Sequence, residues 1–567
     1  MSDDAPPDVE DAEGGDPGAE NGTGLQAALA RLPAGDRKLL WAFILASLFT
    51  LGLGVLYALV LVMVKGGFIE LESTLAYTVL TLHATTVFYY WLYFVQVAMV
   101  YVFVLAYTEG VKRLAWRPLA WLGFGLMSAG FLMDQAAPWL GAAITYEGLA
   151  PLSEGMEGSD WFYLGYVLLG LGLLCVSLPC IVTPLMAKWE GRVENWSSIT
   201  FAATLWAALL TVTSLAALNV FGKAALVAFG IIEPIEGFDY KSAYHVQFHN
   251  MHYLPLLSTV LVWYVLAEIT TGVKSIFSDR FSKIVFSLYL VVLPPTFLYH
   301  MFLDPSVSAT MKTVASTLAM FISIPTIMVF LVILVSLEAS ARTSGARPGL
   351  FGWMRDLPWG NPAFNSIAAA TVAAAGGGVL ANILIQVKFA GLLSDTFVIP
   401  AYFHFFTVGT VTLTFIGLLM YIVPSLSGRQ LWNPSLMCRL PWLLTAGVYL
   451  FGISGIIAGY LGAPRRTLAP EYDLHGWIPG LMALVGIGGI VMAVVLLLFL
   501  YAFVETIRNG VVAGRGQETA NLPTVNWTPA TPGSASAMTG TIVMVVMLII
   551  LFALTWLTFG MVEGLPG

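Results

Sequence analysis

Long apolar runs are the feature of this sequence that most restricts its fold. They begin near residues 39, 74, 118, 161, 199, 246, 284, 311, 364, 398, 440, 477 and 539. Each run is long enough to cross about 30 Å of hydrocarbon as a helix. Only 10% of the residues are charged, whereas soluble domains have about 25%. We therefore predict an all-α integral membrane protein of about thirteen transmembrane helices, with no room for a sizeable soluble domain.

The N-terminal segment differs in composition from the rest of the chain. Residues 1–24 contain eight acidic residues and no basic ones, among glycine, proline and alanine. We predict that residues 1–38 form an acidic, disordered cytoplasmic tail and that residues 39–567 form a single polytopic membrane domain. The acidic tail and the net charge of −8 would suit a halophilic prokaryote.

The charges of the connecting loops alternate in sign. Basic residues occur in the tail and in alternate loops, for example Lys112, Arg113, Arg117, Lys188, Arg192, Lys274, Arg280 and Lys283. The intervening loops carry mainly acidic residues. By the positive-inside rule the N-terminus is cytoplasmic, and an odd number of spans places the C-terminus outside.

Seven histidines occur, and this topology places all of them in the outer half of the membrane: His83, His245, His249, His252, His300, His404 and His475. A single buried histidine can be a satisfied packing residue. Seven at one depth instead favour a layer of bound cofactors.

Three of these histidines share one predicted helix at the spacing of metal ligands. His249 and Tyr253 are one helical turn apart, His245 is one turn earlier and His252 is three residues further on. Imidazoles at this spacing can share a copper, iron or zinc ion, and His300 from the next helix could join them.

Arg465 and Arg466 are adjacent in an outer loop, where the positive-inside rule disfavours basic residues. They are either a solvated turn or, as we prefer, a clamp for anionic groups such as heme propionates. A guanidinium group binds carboxylates with two parallel hydrogen bonds.

Several segments resemble subunit I of the heme-copper oxidases, in particular the B-family branch. They are LTLHATT (80–86), HNMHY (249–253), YHMFLDP (299–305), SDTFVIPAYFH (394–404), the loop from Ser336 to Phe364 and the pair Arg465 and Arg466. The resemblance covers nearly the whole chain. It implies the subunit I fold.

The resemblance also implies the cofactors. His83 and His404 would bind a low-spin heme of the b type, with Arg465 and Arg466 at its propionates. A high-spin heme and copper would lie at a second site, in which His249 and Tyr253 occupy the positions of a copper ligand and its cross-linked tyrosine.

The second site departs from the family pattern, because Tyr402 stands where the high-spin heme has its histidine and Tyr299 replaces a copper ligand. In one interpretation Tyr402 binds the iron as a phenolate, and His249, His300 and either His252 or His245 hold the metal. In a second the high-spin site is lost, and in a third both tyrosines only pack.

A proton path along the sixth and eighth spans is also implied. Tyr253, Tyr264 and Thr326 remain on it, whereas Val260 and Val329 stand where hydroxyls are expected. Water can bridge such gaps.

We therefore expect a respiratory terminal oxidase that passes electrons through the low-spin heme and reduces dioxygen to water, with Tyr253 and Tyr402 in the catalytic site. The expected partners are a subunit II with a binuclear copper centre, a soluble cytochrome or blue copper protein as donor, and the lipid of the cell membrane; nucleic acid is not expected. The alternatives are a nitric oxide reductase-like enzyme and a non-catalytic electron-transfer subunit that retains only the low-spin heme. A heme-free transporter would be expected to show paired repeats, and no second copy of the glycine-rich tract near residue 376 is visible.

Overall fold

A computed structural model describes most of the chain. The described residues are 24–144, 155–233, 238–294, 297, 307–384, 391–466, 476–513, 517–531 and 537–563. Within these ranges the secondary structure is helical, with two isolated β-bridges and no strand.

The α-helices, numbered in chain order, are α1 Gly24–Ala30, α2 Ala34–Lys65, α3 Ser73–Thr85, α4 Leu92–Tyr107, α5 Arg117–Ala136, α6 Ser159–Trp189, α7 Ser198–Ala228, α8 Phe238–Thr271, α9 Ser278–Val292, α10 Ala309–Thr343, α11 Pro362–Leu384, α12 Val398–His404, α13 Leu413–Ser427, α14 Pro434–Tyr460, α15 Ile478–Asn509 and α16 Met538–Glu563. Two π-helical turns join neighbouring helices without a break. Turn π1, Thr86–Trp91, joins α3 to α4, and turn π2, Phe405–Thr412, joins α12 to α13.

In the described residues, ten helical segments are long and apolar enough to cross a membrane. The prediction of an all-helical, multi-pass membrane protein is confirmed, whereas the count of about thirteen is not. The segments α3–π1–α4 and α12–π2–α13 each form one continuous span.

Three spans form the centre of the bundle. In their most apolar windows, Ser73–Tyr107 is 94% buried, Tyr244–Thr271 89% and Val398–Ser427 83%, while the other seven are at most 56% buried. Helices α5, α6 and α7 pack in succession, with α7 against the central α8, and α15 packs on both α14 and α2. The three central spans carry all five described histidines, so these side chains lie away from lipid.

Glycines on α14 set the position of α12. A Cβ on Gly452 would overlap the ring of Phe405, and one on Gly459 would overlap Val398 at the start of α12. Small residues at such positions allow two helix backbones to approach closely. Helix α12 is therefore held against α14 over its whole length.

The predicted boundary at residue 38 falls inside α2, and the described chain is already helical at Gly24. Helix α1 packs on α4 and α13 and buries Leu25 and Leu29 completely or almost completely. Burial of these two leucines accounts for an ordered segment ahead of the first span. The disordered state predicted for residues 1–23 concerns residues outside the described ranges.

Candidate functional site

A deep apolar cavity lies between α2, the α3–π1 segment, the α12–π2 segment, α14 and α15. His83 and His404 both line it, each from one of the buried central spans. Its other walls are mainly aliphatic and aromatic, including Phe88, Phe403 and Phe451. The cavity therefore brings the two imidazoles together within walls that are mainly apolar.

Both imidazoles are oriented by backbone carbonyls. The Nδ1 atom of His83 lies 2.9 Å from the carbonyl oxygen of Gly54, and Nδ1 of His404 lies 2.7 Å from that of Pro400. A carbonyl can only accept, so each Nδ1 carries the proton and donates it. The lone pair of each ring is then on Nε2, the form in which histidine binds a metal.

A π-helical turn follows each histidine. Turn π1 begins three residues after His83, and π2 begins directly after His404. The indole Nε1 of Trp91 in π1 donates to the hydroxyl of Thr412 in π2, 3.0 Å away. A π-turn inserts a residue into a helix and redirects its side chains, and such turns are frequent at functional sites. The two histidine-bearing spans are thus joined across the cavity.

Gly54 allows α2 to touch π1. A Cβ at this position would overlap Cγ1 of Val87. Only glycine therefore brings the carbonyl of residue 54 within hydrogen-bonding distance of His83 without displacing π1.

Three cationic residues line the same cavity: Lys65, Arg465 and Arg466. Nη2 of Arg465 lies 3.4 Å from Asp395, and the ammonium of Lys65 donates to the Arg465 carbonyl at 3.4 Å. The hydroxyl of Tyr77 donates to the carbonyl of Arg466 at 2.7 Å. The structure thus places the predicted arginine pair in the same cavity as His83 and His404.

The sequence analysis missed Lys65. Its side chain is 7% exposed and lies at the C-terminal end of α2, which the predicted topology places on the outer side. A basic residue on the outer side, against the positive-inside rule, is the same signal that identified the arginine pair.

His249 and Tyr253 lie together on the buried part of α8. Their ring centroids are 4.6 Å apart with an interplanar angle of 38°, and His249 is only 2% exposed. His245, one turn earlier, packs against Tyr244 with ring centroids 5.1 Å apart. The predicted one-turn pairing of His249 with Tyr253 is therefore present in the structure.

His252 lies beside the cavity of His83 and His404. Its ring centroid is 4.4 Å from that of Phe88 and 4.9 Å from that of Phe403, and both phenylalanines line this cavity. Its Nδ1 bonds the carbonyl of Phe248 in the preceding turn. His252 thus packs behind two phenylalanines of the cavity lining.

The remaining predicted site residues are only partly described. Tyr402 packs edge-on against Phe406, 5.4 Å between ring centroids, and it is absent from the lining of the cavity that His404 enters. His300, Tyr299 and His475 lie outside the described residues. In the part of the chain that is described, no three His, Cys, Asp or Glu side chains converge as a metal site. The copper-ligand set, which includes His300, stays a prediction.

On the predicted cytoplasmic side, α8, α9 and α10 carry paired hydroxyls. Tyr264 is 3.1 Å from the hydroxyl of Ser282, and Tyr289 is 2.6 Å from that of Thr326. A cavity of about 300 Å³ next to Tyr264 is lined also by Glu268. The sequence analysis expected Tyr264 and Thr326 on a proton path, and the packing of α9 shows that Ser282 and Tyr289 are their hydrogen-bond partners.

Comparisons with known proteins agree with this geometry. The family described as "Cytochrome C and Quinol oxidase polypeptide I" matches residues 38–491. Cytochrome c oxidase subunit 1 of Thermus thermophilus is 30% identical over 423 residues, which are 72% of this chain and 72% of that protein. A cryo-EM structure of a heme-copper terminal oxidase dimer superposes with a TM-score of 0.78 and 21% identity, covering 93% of this chain and 92% of that one. The chain is therefore a member of the cytochrome c and quinol oxidase polypeptide I family.

Proposed function

We propose that this chain is the heme-bearing subunit of a respiratory terminal oxidase that reduces dioxygen to water. Electrons would enter through a low-spin heme, of the b type, between His83 and His404. They would then pass to a high-spin heme and a copper ion near His249 and Tyr253. Family membership supports the terminal oxidase class, and the geometry of the cavity supports the low-spin heme in particular.

The observation that carries the proposal is the pair of oriented imidazoles in one cavity. Because each Nδ1 is held by a backbone carbonyl, both Nε2 lone pairs would remain available to hold an iron ion. An iron porphyrin bound there would supply reversible one-electron chemistry. The apolar walls would exclude water from it.

The cationic side chains of the cavity would offset the negative charge of the two heme propionates. Arg465 and Arg466, with Lys65, would hold the propionates through charge-assisted hydrogen bonds. Arg465 is itself oriented by Asp395, and its backbone amide donates to the Asp395 carbonyl at 3.1 Å. The loop that contains Arg465 is thus fixed to the segment just before α12, and α12 is the helix that carries His404.

The second site would be built on α8. His249, with His300 and either His245 or His252, would hold copper, with Tyr253 packed against His249. Tyr402, on α12, would be the iron ligand of the high-spin heme in place of histidine. The position of His252 beside the first cavity favours His245 as the third copper ligand.

In the proposed orientation the N-terminus is cytoplasmic and the C-terminus is outside the cell membrane. Residues 1–38 would be the cytoplasmic tail and the remainder one membrane domain. A subunit II with a binuclear copper centre would dock on the outer face and receive electrons from a soluble cytochrome or blue copper protein.

A heme and metal assay of the purified protein tests the proposal. We expect two hemes by pyridine hemochrome, about one copper and a carbon monoxide shift in the reduced difference spectrum. Oxygen consumption with a reduced donor should accompany them. One heme, no copper and no carbon monoxide shift would instead indicate a non-catalytic electron-transfer subunit. Turnover with nitric oxide but not with oxygen would indicate a nitric oxide reductase-like enzyme.

A further inference from the structure

Asp134 is an acidic residue buried inside the helix bundle. It lies on α5, two residues before the helix ends at Ala136, and is 0% exposed. The functions proposed above for the heme and metal sites do not use it. Acidic groups in the interior of a membrane protein are costly, and they commonly mark proton or ion sites.

The carboxyl group of Asp134 is only partly satisfied. Oδ2 accepts a hydrogen bond from the hydroxyl of Tyr90 at 2.5 Å. Oδ1 is buried against α6, so closely that a Cβ on Gly165 would overlap it, and among the described residues it has no hydrogen-bond partner. An ionised carboxylate with a single hydrogen bond is expensive to bury without a positive charge nearby, so Asp134 binds a proton on Oδ1 unless such a charge is present.

The surroundings of Asp134 contain further polar groups but supply phenols rather than a cation. Tyr90 on π1 and Tyr166 on α6 are the ionisable side chains that face it among the described residues. From α2, Tyr57 donates to Gln135, the neighbour of Asp134, at 3.1 Å. Within these elements no fixed positive charge neutralises an ionised Asp134.

Asp134 is linked to the histidine-bearing span at two points. Tyr90 belongs to π1, the turn that follows His83. The amide of Gln135 donates to the hydroxyl of Thr86, the first residue of π1, at 2.8 Å. The acid and its neighbour therefore contact the first and fifth residues of the same turn.

We propose that Asp134 is a proton-binding site whose occupancy follows the redox state of the heme held by His83 and His404. The oxidised heme would supply a positive charge that favours ionised Asp134. When an electron from the donor reduces that heme, this charge is lost from a low-dielectric region, and Asp134 gains affinity for a proton. A proton from water then forms the O–H bond at Oδ1. When the electron moves on, that bond breaks and the proton returns to water. The exchange occurs with the outer side, because Asp134 lies less than one turn from the Ala137–Leu140 segment, which exposes Trp139.

Redox-difference infrared spectroscopy of the heme-loaded protein tests this site, which rests on the proposed low-spin heme but not on oxygen reduction. We expect the reduced-minus-oxidised spectrum to contain a carboxylic acid C=O band that shifts in D₂O and is lost in Asp134→Asn. The midpoint potential of the low-spin heme should fall with rising pH in the wild type and lose that dependence in Asp134→Asn.

Thr86→Val is the matched control, because it removes the Gln135 anchor on π1 but leaves the acid in place. This variant should keep both the band and the pH dependence of the potential. If it loses them while Asp134→Asn keeps them, or if the wild type shows no carboxylic acid band, the inference is overturned.

A hemochrome assay separates the two possible failures. Wild-type protein without a bis-histidine heme would overturn the proposed function together with this site. Wild-type protein with that heme but without a redox-linked carboxyl signal would overturn this site alone.

Discussion

Gly54 lies where α2 touches the turn that follows His83, and its replacement by alanine tests whether this contact orients the proposed heme ligand. The added methyl group would overlap Val87, and the carbonyl of residue 54 would have to move away from Nδ1 of His83. Overpacking costs about 1–3 kcal/mol, and loss of the hydrogen bond costs about 1 kcal/mol. Better helix propensity returns about 0.5–1 kcal/mol.

The net effect is that the packing of α2 on π1, which orients His83, is destabilised by about 1–3 kcal/mol. We therefore expect Gly54→Ala to bind heme at least about fivefold more weakly, since about 1 kcal/mol is a fivefold change and about 1.4 kcal/mol a tenfold one. Heme retention during dilution and the α-band of the reduced low-spin heme are the measurements.

Two further variants make the Gly54 experiment specific. Gly52→Ala on the same helix is the control, because its Cβ would meet only the end of the flexible Leu500 side chain at 3.3 Å. Adding Val87→Ala to Gly54→Ala should restore space and recover heme binding. The reasoning is refuted if Gly54→Ala and Gly52→Ala retain heme equally well with identical spectra.

Three other outcomes follow from the same contacts. His83→Ala should lose about one heme per chain by hemochrome assay, because an axial ligand is removed, whereas His252→Ala should retain the low-spin α-band; equal losses would contradict the assignment. Arg465→Leu should lower the low-spin midpoint potential by about 60 mV, a tenfold factor for one electron, because a cation that favours the reduced state is removed; an unchanged redox titration would place Arg465 away from the heme. The side chain of Glu338 accepts from the amides of Thr539 and Gly540 at the start of α16. Glu338→Leu should therefore destabilise the protein by about 2 kcal/mol in thermal unfolding, the cost of two unpaired amides, and an unchanged midpoint would show that α16 does not depend on this cap.

The amino-acid pattern alone was sufficient for the class of fold, and it singled out histidines and arginines that the structure places in one cavity. In lipid no water is available to the backbone, so a long apolar run must satisfy its own N–H and C=O groups by forming a helix. The length of these runs therefore predicts a helical membrane protein directly. His83 and His404 were identifiable because a polar ring in an apolar span is rare, and Arg465 and Arg466 because they violate a charge rule that depends on sequence position. The number of spans differs because the helices at the predicted runs near residues 118, 284 and 539 are not among the ten described segments that are long and apolar enough to cross a membrane.

Tertiary structure decided which residues share a space. The location of Lys65 in the cavity, the role of Gly54 at His83 and the link between Trp91 and Thr412 all depend on contacts between segments far apart in sequence. The packing of His252 on Phe88 and Phe403 depends on the rotation of α8 about its own axis. Likewise, Asp134 near the end of α5 resembles a residue at the membrane surface in the sequence, and only the packing of π1 and α6 buries its carboxyl group. Apolar periodicity places a helix in lipid but does not fix its rotation or its neighbours, because these depend on close packing of side chains across the whole bundle.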